Sequence, residues 1–339
     1  MSSHLNPSTQ ACISGIHFFV GAGSSHRISN QGDYDFPLGS SLLKSFKLNV
    51  TSAATSVLPS EQKSWAIENF NQYKSIDEFL GMATCFGYRD LVDLGRKFVD
   101  LEISRCEAKV EKYFKDHSKT LIVPWLESFL DFMTQDVDRH EDAYRRLKWV
   151  DDNNNASYPT VNFATLNYDR LIEISLKNYF TRKYPDAIEQ ITQDFETPGN
   201  LVQHHHGSLG SLQERPFGDV KENPSPTLKF LFEYPDESQH WPIMNAMSNA
   251  RNHGVFLGFG FHQSIATRFD FNGTKPKIYI SDFGNGLEKV SSSDFKDGVH
   301  DFIFRHGMEP PITTIGDKCC VELIGKLVKE FSKSRHTDQ

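Results

Sequence analysis

No paired-cysteine motif occurs in this chain of 339 residues, and that absence removes two protein classes at once. The five cysteines, Cys12, Cys85, Cys106, Cys319 and Cys320, show no C-x-x-C spacing. Neither a disulfide framework nor a cysteine-based zinc module is therefore expected, and the odd, scattered set reads as a reducing compartment. Long apolar runs are also missing. None approaches the roughly 18 residues that span a bilayer, and the N-terminus lacks the basic region and apolar core of a signal peptide. Positive charge is in deficit, with a formal net charge of −8, so there is no general attraction to phosphate backbones or anionic lipid. Internal repeats, coiled-coil heptads and low-complexity tracts are absent. The expectation is a cytoplasmic globular protein that does not enter membranes or bind nucleic acid directly.

The chain has enough apolar mass for a large core: 38% of its residues are hydrophobic and 27 are phenylalanine, a load that calls for thick aromatic packing. Ile16, His17, Phe18, Phe19 and Val20 form a short apolar run that stops at Gly21-Ala22-Gly23-Ser24-Ser25, the pattern of a buried strand ending in a tight turn. From about Glu61 to Val150 the period changes. Ile76, Phe79, Leu80 and Ala83, then Leu91, Leu94, Phe98 and Leu101, recur at helical spacing between charges. This stretch reads as a helical insertion, 61–150, and the polar cluster Asp151-Asp152-Asn153-Asn154-Asn155 as the turn that ends it. Strands are expected at Val161 to Thr165, Asn200 to His204, Leu228 to Phe232, Val255 to Leu257 and Lys277 to Ser281. Short apolar strands alternating with helices predict an α/β fold with a mainly parallel, Rossmann-like sheet over 11–60 and 151–325. About fifty residues follow the last of these strands, so a separate sensing domain is not expected.

In a parallel sheet, ligands bind beyond the carboxyl ends of the strands, so the residues just past each strand carry the functional signal. The Gly21 to Ser25 turn can bring backbone N–H groups to a pyrophosphate, or it can simply be a turn. Thr165-Leu166-Asn167-Tyr168-Asp169 precedes the helical Leu171-Ile172-Glu173, where Asn and Asp commonly cap a helix. His204-His205-His206-Gly207-Ser208 places His204 and His206 on one face by strand alternation, with Gly207 breaking the strand so that His206 sits at the rim. Three consecutive histidines could mean metal or merely surface. Metal is disfavoured, because no cysteine pair completes a zinc site. The fourth end, Val255 to Leu257 running into Gly258-Phe259-Gly260, is a second Gly-x-Gly turn, and a dinucleotide has two ends to hold.

Taken in order, Gly-Ala-Gly-Ser-Ser at 21–25, Thr-Leu-Asn-Tyr-Asp at 165–169, His-Gly-Ser at 206–208 and Gly-Phe-Gly at 258–260 resemble the SIR2-like family, more narrowly its bacterial NAD hydrolases of antiphage defence. The resemblance covers about residues 15–50 and 160–285. It implies NAD as substrate, with Gly21, Ala22, Gly23 and Ser24 on the pyrophosphate and Gly258, Gly260 and Ser281 on the adenosine side. It further implies Asn167 positioning a water or the nicotinamide ribose, Asp169 on the carboxamide, and His206 as base on the ribose hydroxyls. Nicotinamide leaves a pyridinium cation as a neutral molecule, so it needs little acid help. The demand is for oriented polar groups around an oxocarbenium-like centre and a base near neutrality, which suits a His of unperturbed pKa about 6.5.

The departures point to a branch. Protein deacylases of the family carry a paired-cysteine zinc module, and here the helical stretch stands in its place, so no zinc is expected. The family's Asp-Phe-Arg segment is only partly echoed by Asp35-Phe36-Pro37, and no arginine role is carried onto it. An NAD-destroying enzyme needs restraint, which by analogy with the defence systems implies a homo-oligomer, or a partner such as a HerA-type ATPase or a short Argonaute. The competing expectations are an NAD-dependent deacylase, a module that senses NAD or ADP-ribose without cleaving it, and an ADP-ribose cyclase.

Overall fold

A computed structural model describes residues 16–25, 36–52, 58–147, 161–196, 201–221, 228–230, 253–259, 276–282, 292–306, 308–315 and 319–337. The expected strand at 16–20 forms as β1 (Ile16–Val20), and Val161–Thr165 forms β2. Every residue of both is buried, the polar His17, Asn162 and Thr165 included, as befits strands covered on both faces. β3 (Val202–His204), β4 (His253–Leu257) and β5 (Lys277–Asp282) fall on three further expected strands. The expected strand at Leu228 to Phe232 does not appear: 228–230 are irregular, and 231–232 lie outside the described residues, as do Cys12, Asp35, 151–155 and Gly260. Conversely, β6 (Ile312–Ile315) extends the sheet beyond the last strand expected from the sequence. Its register Ile-Thr-Thr-Ile is too short and too polar to stand out by pattern.

All six strands are parallel, in the order β3-β2-β1-β4-β5-β6. The chain leaves β1 towards β2 on one side and returns to pair β4 on the other, so the strand order reverses between β1 and β4. In open parallel α/β sheets such a reversal is the common place for a ligand, beyond the carboxyl ends of the strands.

Between β1 and β2 run α1 (Gly39–Thr51), α2 (Ser60–Asn69), α3 (Ile76–Cys85), α4 (Arg89–Asp116), α5 (Pro124–Thr134) and α6 (His140–Leu147). The residues predicted at helical spacing do their work in α3: Ile76, Phe79, Leu80 and Ala83 are all buried, and Ser75 caps the helix by accepting the N–H of Glu78. These helices share one hydrophobic core with the sheet. Phe18 of β1 makes the join, its ring packed against Phe129 (4.8 Å), Phe163 (5.0 Å) and Trp125 (6.0 Å). After β2 come α7 (Leu171–Lys183) and α8 (Ile188–Glu196); α9 (Ser292–His306) precedes β6 and α10 (Cys319–Thr337) follows it. The opposite face of the sheet carries Phe19, Ala164, Phe256, Ile278 and Ile280, covered by Phe302 of α9. Helices on both faces make this a three-layer α/β arrangement. Among the described residues no helix is long and apolar enough to cross a membrane.

The two glycine turns at the reversal abut. Gly21 donates its N–H to the Leu257 carbonyl (2.9 Å) and Gly23 to the Gly258 carbonyl (3.0 Å). Gly258 has φ +58°, and a Cβ there would stand 2.0 Å from the Ser24 nitrogen, while one on Gly21 would stand 2.5 Å from the Gly258 oxygen. Both contacts are with backbone, which cannot give way as a flexible side chain can. Gly258→Ala should therefore cost more than about 3 kcal/mol of unfolding free energy in urea. A loss below about 0.5 kcal/mol would show that the turns are not packed this way.

Candidate active site at the strand ends

The first turn holds its own shape. Beyond the bonds of Gly21 and Gly23, the Ser24 N–H and the Ser24 hydroxyl both donate to the Gly21 carbonyl (2.9 and 2.8 Å), and the Ser25 N–H donates to Ala22 (3.3 Å). The glycines at 21 and 258 are thus demanded by close backbone approach whether or not a phosphate binds. Ser281, expected on the adenosine side, is buried at the end of β5, where its hydroxyl accepts the Gly258 N–H (2.9 Å) and meets Cys320 Sγ (3.3 Å). It fixes the second turn from below.

At the next strand end, side chains from distant parts of the sequence converge. Thr165 donates its hydroxyl to the Val20 carbonyl (3.1 Å) and accepts the Asn167 N–H (3.0 Å), which ties the end of β2 to the end of β1. Asn167 is 6% exposed. Its Nδ2 donates to Ser25 Oγ (2.9 Å), and Ser25 Oγ donates to Asp169 Oδ1 (3.4 Å), which also accepts the Leu171 N–H (3.2 Å). Asp169 thus accepts the N–H of the first helical residue, although the N-cap position is Arg170 and has no side-chain cap bond, and it meets Asn167 through Ser25. With Nδ2 committed to Ser25, the buried Oδ1 of Asn167 has no hydrogen-bond partner among the described residues. A lone pair left so costs on the order of 1–3 kcal/mol.

Asp169 is buried among acids. Burial, above all, pushes its carboxyl up to about 7; Glu107 and Glu173 push the same way, and the Leu171 N–H and His204 oppose them. The folded value lies above the unfolded one, near 3.9, so between those two values the folded chain holds the proton more tightly. The associated stability is complete at low pH and is lost as pH rises through about 7. Asp169→Asn keeps an oxygen for Leu171 but cannot ionise. Its melting temperature relative to wild type should rise by roughly 5 °C between pH 5 and pH 8.5, and a gap that stays flat across this range would contradict the burial argument.

The histidine run divides sharply. β3 ends at His204 and a turn begins at His205, so strand alternation does not set the faces of His205 and His206 as the sequence pattern predicts. His204 is pinned: Nδ1 lies 2.9 Å from the Asn167 carbonyl and Nε2 lies 2.5 Å from Glu173 Oε1 on α7. His206 is 2% exposed, its ring centre 5.9 Å from that of Tyr168, next to Asn167 in the chain. The His206 carbonyl accepts the Lys229 N–H (2.8 Å). The segment after it, 207–221, is held on α4 by two buried ion pairs. Arg170 pairs with Glu107 (2.5 Å) and also donates to the carbonyls of Pro216 (3.2 Å), Ser211 (3.4 Å) and Arg215. Arg215 grips Asp100 with both guanidinium nitrogens (2.9 and 3.0 Å).

The structure thus joins Ser25, Asn167, Asp169 and His204 through hydrogen bonds. It sets His206 against Tyr168 one strand over, and links Gly21, Gly23, Ser24, Gly258 and Ser281 through the abutting turns. Gly260 lies outside the described residues. Sequence reasoning assigned no role to Ser25, Glu173 or His204. The signal for Ser25 was its place in the turn opposite Asn167; the pairing of Glu173 with His204 left no sequence signal. No group of three or more His, Cys, Asp or Glu side chains among the described residues is arranged to hold a metal ion. No known protein-family model matches the chain, and no curated protein does either.

Proposed function

We propose that this chain binds NAD over the reversal between β1 and β4 and hydrolyses its nicotinamide–ribose bond, as the resemblance of its strand-end motifs to SIR2-like NAD hydrolases implies. The observation that carries the reading is the Asn167 amide: buried, locked through Nδ2 to Ser25, and left with an unpartnered Oδ1. A water or a ribose hydroxyl supplies the missing donor. A fixed acceptor beside the anomeric carbon orients that water at no reorganisation cost when the bond breaks.

In this reading the Gly21, Ala22, Gly23 and Ser24 turn faces the pyrophosphate, Gly258, Gly260 and Ser281 form the adenosine side, and Asp169 meets the carboxamide. The C1′–N bond breaks with its electron pair going to the pyridinium nitrogen, which releases neutral nicotinamide. The water oxygen bonds to C1′ and loses a proton to His206, giving ADP-ribose. Because such an activity is toxic unless restrained, the reading includes control by self-assembly or by a partner of the HerA-type ATPase or short Argonaute kind.

Mass spectrometry of NAD incubated with the full chain, alone and with candidate partner proteins, tests this. Nicotinamide and ADP-ribose in equal amounts, without added peptide, are expected. Nicotinamide release only with an acylated peptide would make the chain a deacylase. Cyclic ADP-ribose would replace water by the adenine ring, and binding without cleavage would make it a sensor.

A further inference from the structure

The His204 ring has an acceptor at each nitrogen. Nδ1 sits 2.9 Å from the Asn167 carbonyl, which can never donate, and Nε2 sits 2.5 Å from a Glu173 carboxylate oxygen. A neutral imidazole has one N–H and would set a lone pair against one of these oxygens; only the imidazolium donates to both. The charged groups acting on the ring are Glu173, from α7, and Asp169, from the β2–α7 segment, and both are acidic. We propose that His204, resting on the reading of this site as an NAD-cleaving centre, is its positioning residue: a doubly protonated imidazolium that clamps the Asn167 main chain to helix α7.

The geometry explains why the clamp is needed. Asn167 stands in the irregular stretch between β2 and α7, where no strand or helix ladder holds its carbonyl. Its N–H is taken by Thr165 and its Nδ2 by Ser25. Its carbonyl is taken by His204, so its main chain and the orientation of its amide are fixed, and the buried Oδ1 is left to meet a ligand. Glu173 secures the far side of the ring from the first turn of α7, and rotation of the imidazole would break both bonds. Burial works against charge on this ring, yet the Glu173 carboxylate and the two hydrogen bonds outweigh it and raise the affinity of His204 for its proton. The His204 proton is thus held to higher pH than that of a free imidazole.

Nitrogen-15 spectra of histidine-labelled full-length protein, with His204 assigned by its loss in His204→Leu, read the clamp without reference to any reaction. Both ring nitrogens should be protonated at pH 7.5, and in Glu173→Gln the ring should be neutral at that pH. The Asn167 carbonyl carbon resonance should move with the His204 titration. In nicotinamide release, Glu173→Gln should shift the alkaline fall in kcat to lower pH by about one unit or more and leave KM for NAD within about twofold. His204→Lys, whose ammonium has donors for both oxygens, should retain about a tenth of wild-type turnover where His204→Leu keeps less than about a hundredth. A neutral His204 ring in the wild type at pH 7, or an unmoved pH profile in Glu173→Gln, overturns the proposal. If the wild type releases no nicotinamide, the catalytic reading fails, and the spectra still decide whether His204 holds Asn167.

Discussion

Asn167→Ala and His206→Ala are each expected to lower nicotinamide release from NAD by about a thousandfold, the loss typical of removing an oriented hydrogen-bonding group or a general base. The two losses should differ in kind. Alanine at 167 removes both the acceptor and the bond to Ser25, so Asp169 loses the second member of its chain but keeps Leu171. The fold should survive, since the Asn167 N–H and carbonyl bonds belong to the main chain. Alanine at 206 leaves the Lys229 bond to its carbonyl intact, and turnover should lose the contribution of the proposed base. Both variants should melt within a few degrees of wild type. Turnover within about tenfold of wild type in either variant would remove that residue from the chemistry, and equal loss with a collapsed melting temperature would make it structural.

The largest effect on stability is expected at Glu107. This carboxylate is fully buried, pairs with Arg170, and accepts the Arg170 and Gly218 N–H groups (3.1 and 3.3 Å). Glu107→Ala strands the Arg170 guanidinium without a counter-charge, a change that typically costs about 3–5 kcal/mol. Chemical denaturation should show this fall, and limited proteolysis should cut within 207–221, where Arg170 grips four carbonyls, before any other described segment. Exchanging both partners for apolar residues of similar volume should recover part of the loss, because the desolvation penalty disappears with the charges. A Glu107→Ala loss under about 1 kcal/mol would mean that the pair contributes little to holding the segment.

Much of this architecture is legible in the residues. A parallel strand covered on both faces shows little regular alternation, so Ile16–Val20, with His17 its one polar residue, stands out as a mostly apolar run with an abrupt turn, and Val161–Thr165 stands out less because Asn162 and Thr165 interrupt it. α3 is legible for the opposite reason, its Ile76, Phe79, Leu80 and Ala83 marking one stripe. β6 is not, since two threonines between isoleucines carry no signal distinguishable from a loop. Leu228 and Phe230 misled because they are buried without being strand: they pack on the core from an irregular segment. At the site, the residue types at the strand ends are visible, but the connections are not. Ser25 reaches Asn167 across 142 positions and Glu107 reaches Arg170 across 63. Pairings of that range are set by how helices fall across the sheet, which no local pattern records. The ionised state of His204 is similarly hidden, because it depends on two oxygens that arrive from separate elements.

The abutting turns bear on how this chain should diverge. Because Gly21 and Gly258 exclude side chains through contact with main-chain atoms, drift at either position is penalised by packing alone, independent of any selection on turnover. Descendants that have abandoned the reaction should keep both glycines and let the asparagine at 167 wander. Among homologous chains the glycine pair should therefore track the fold, and Asn167 should track the proposed chemistry.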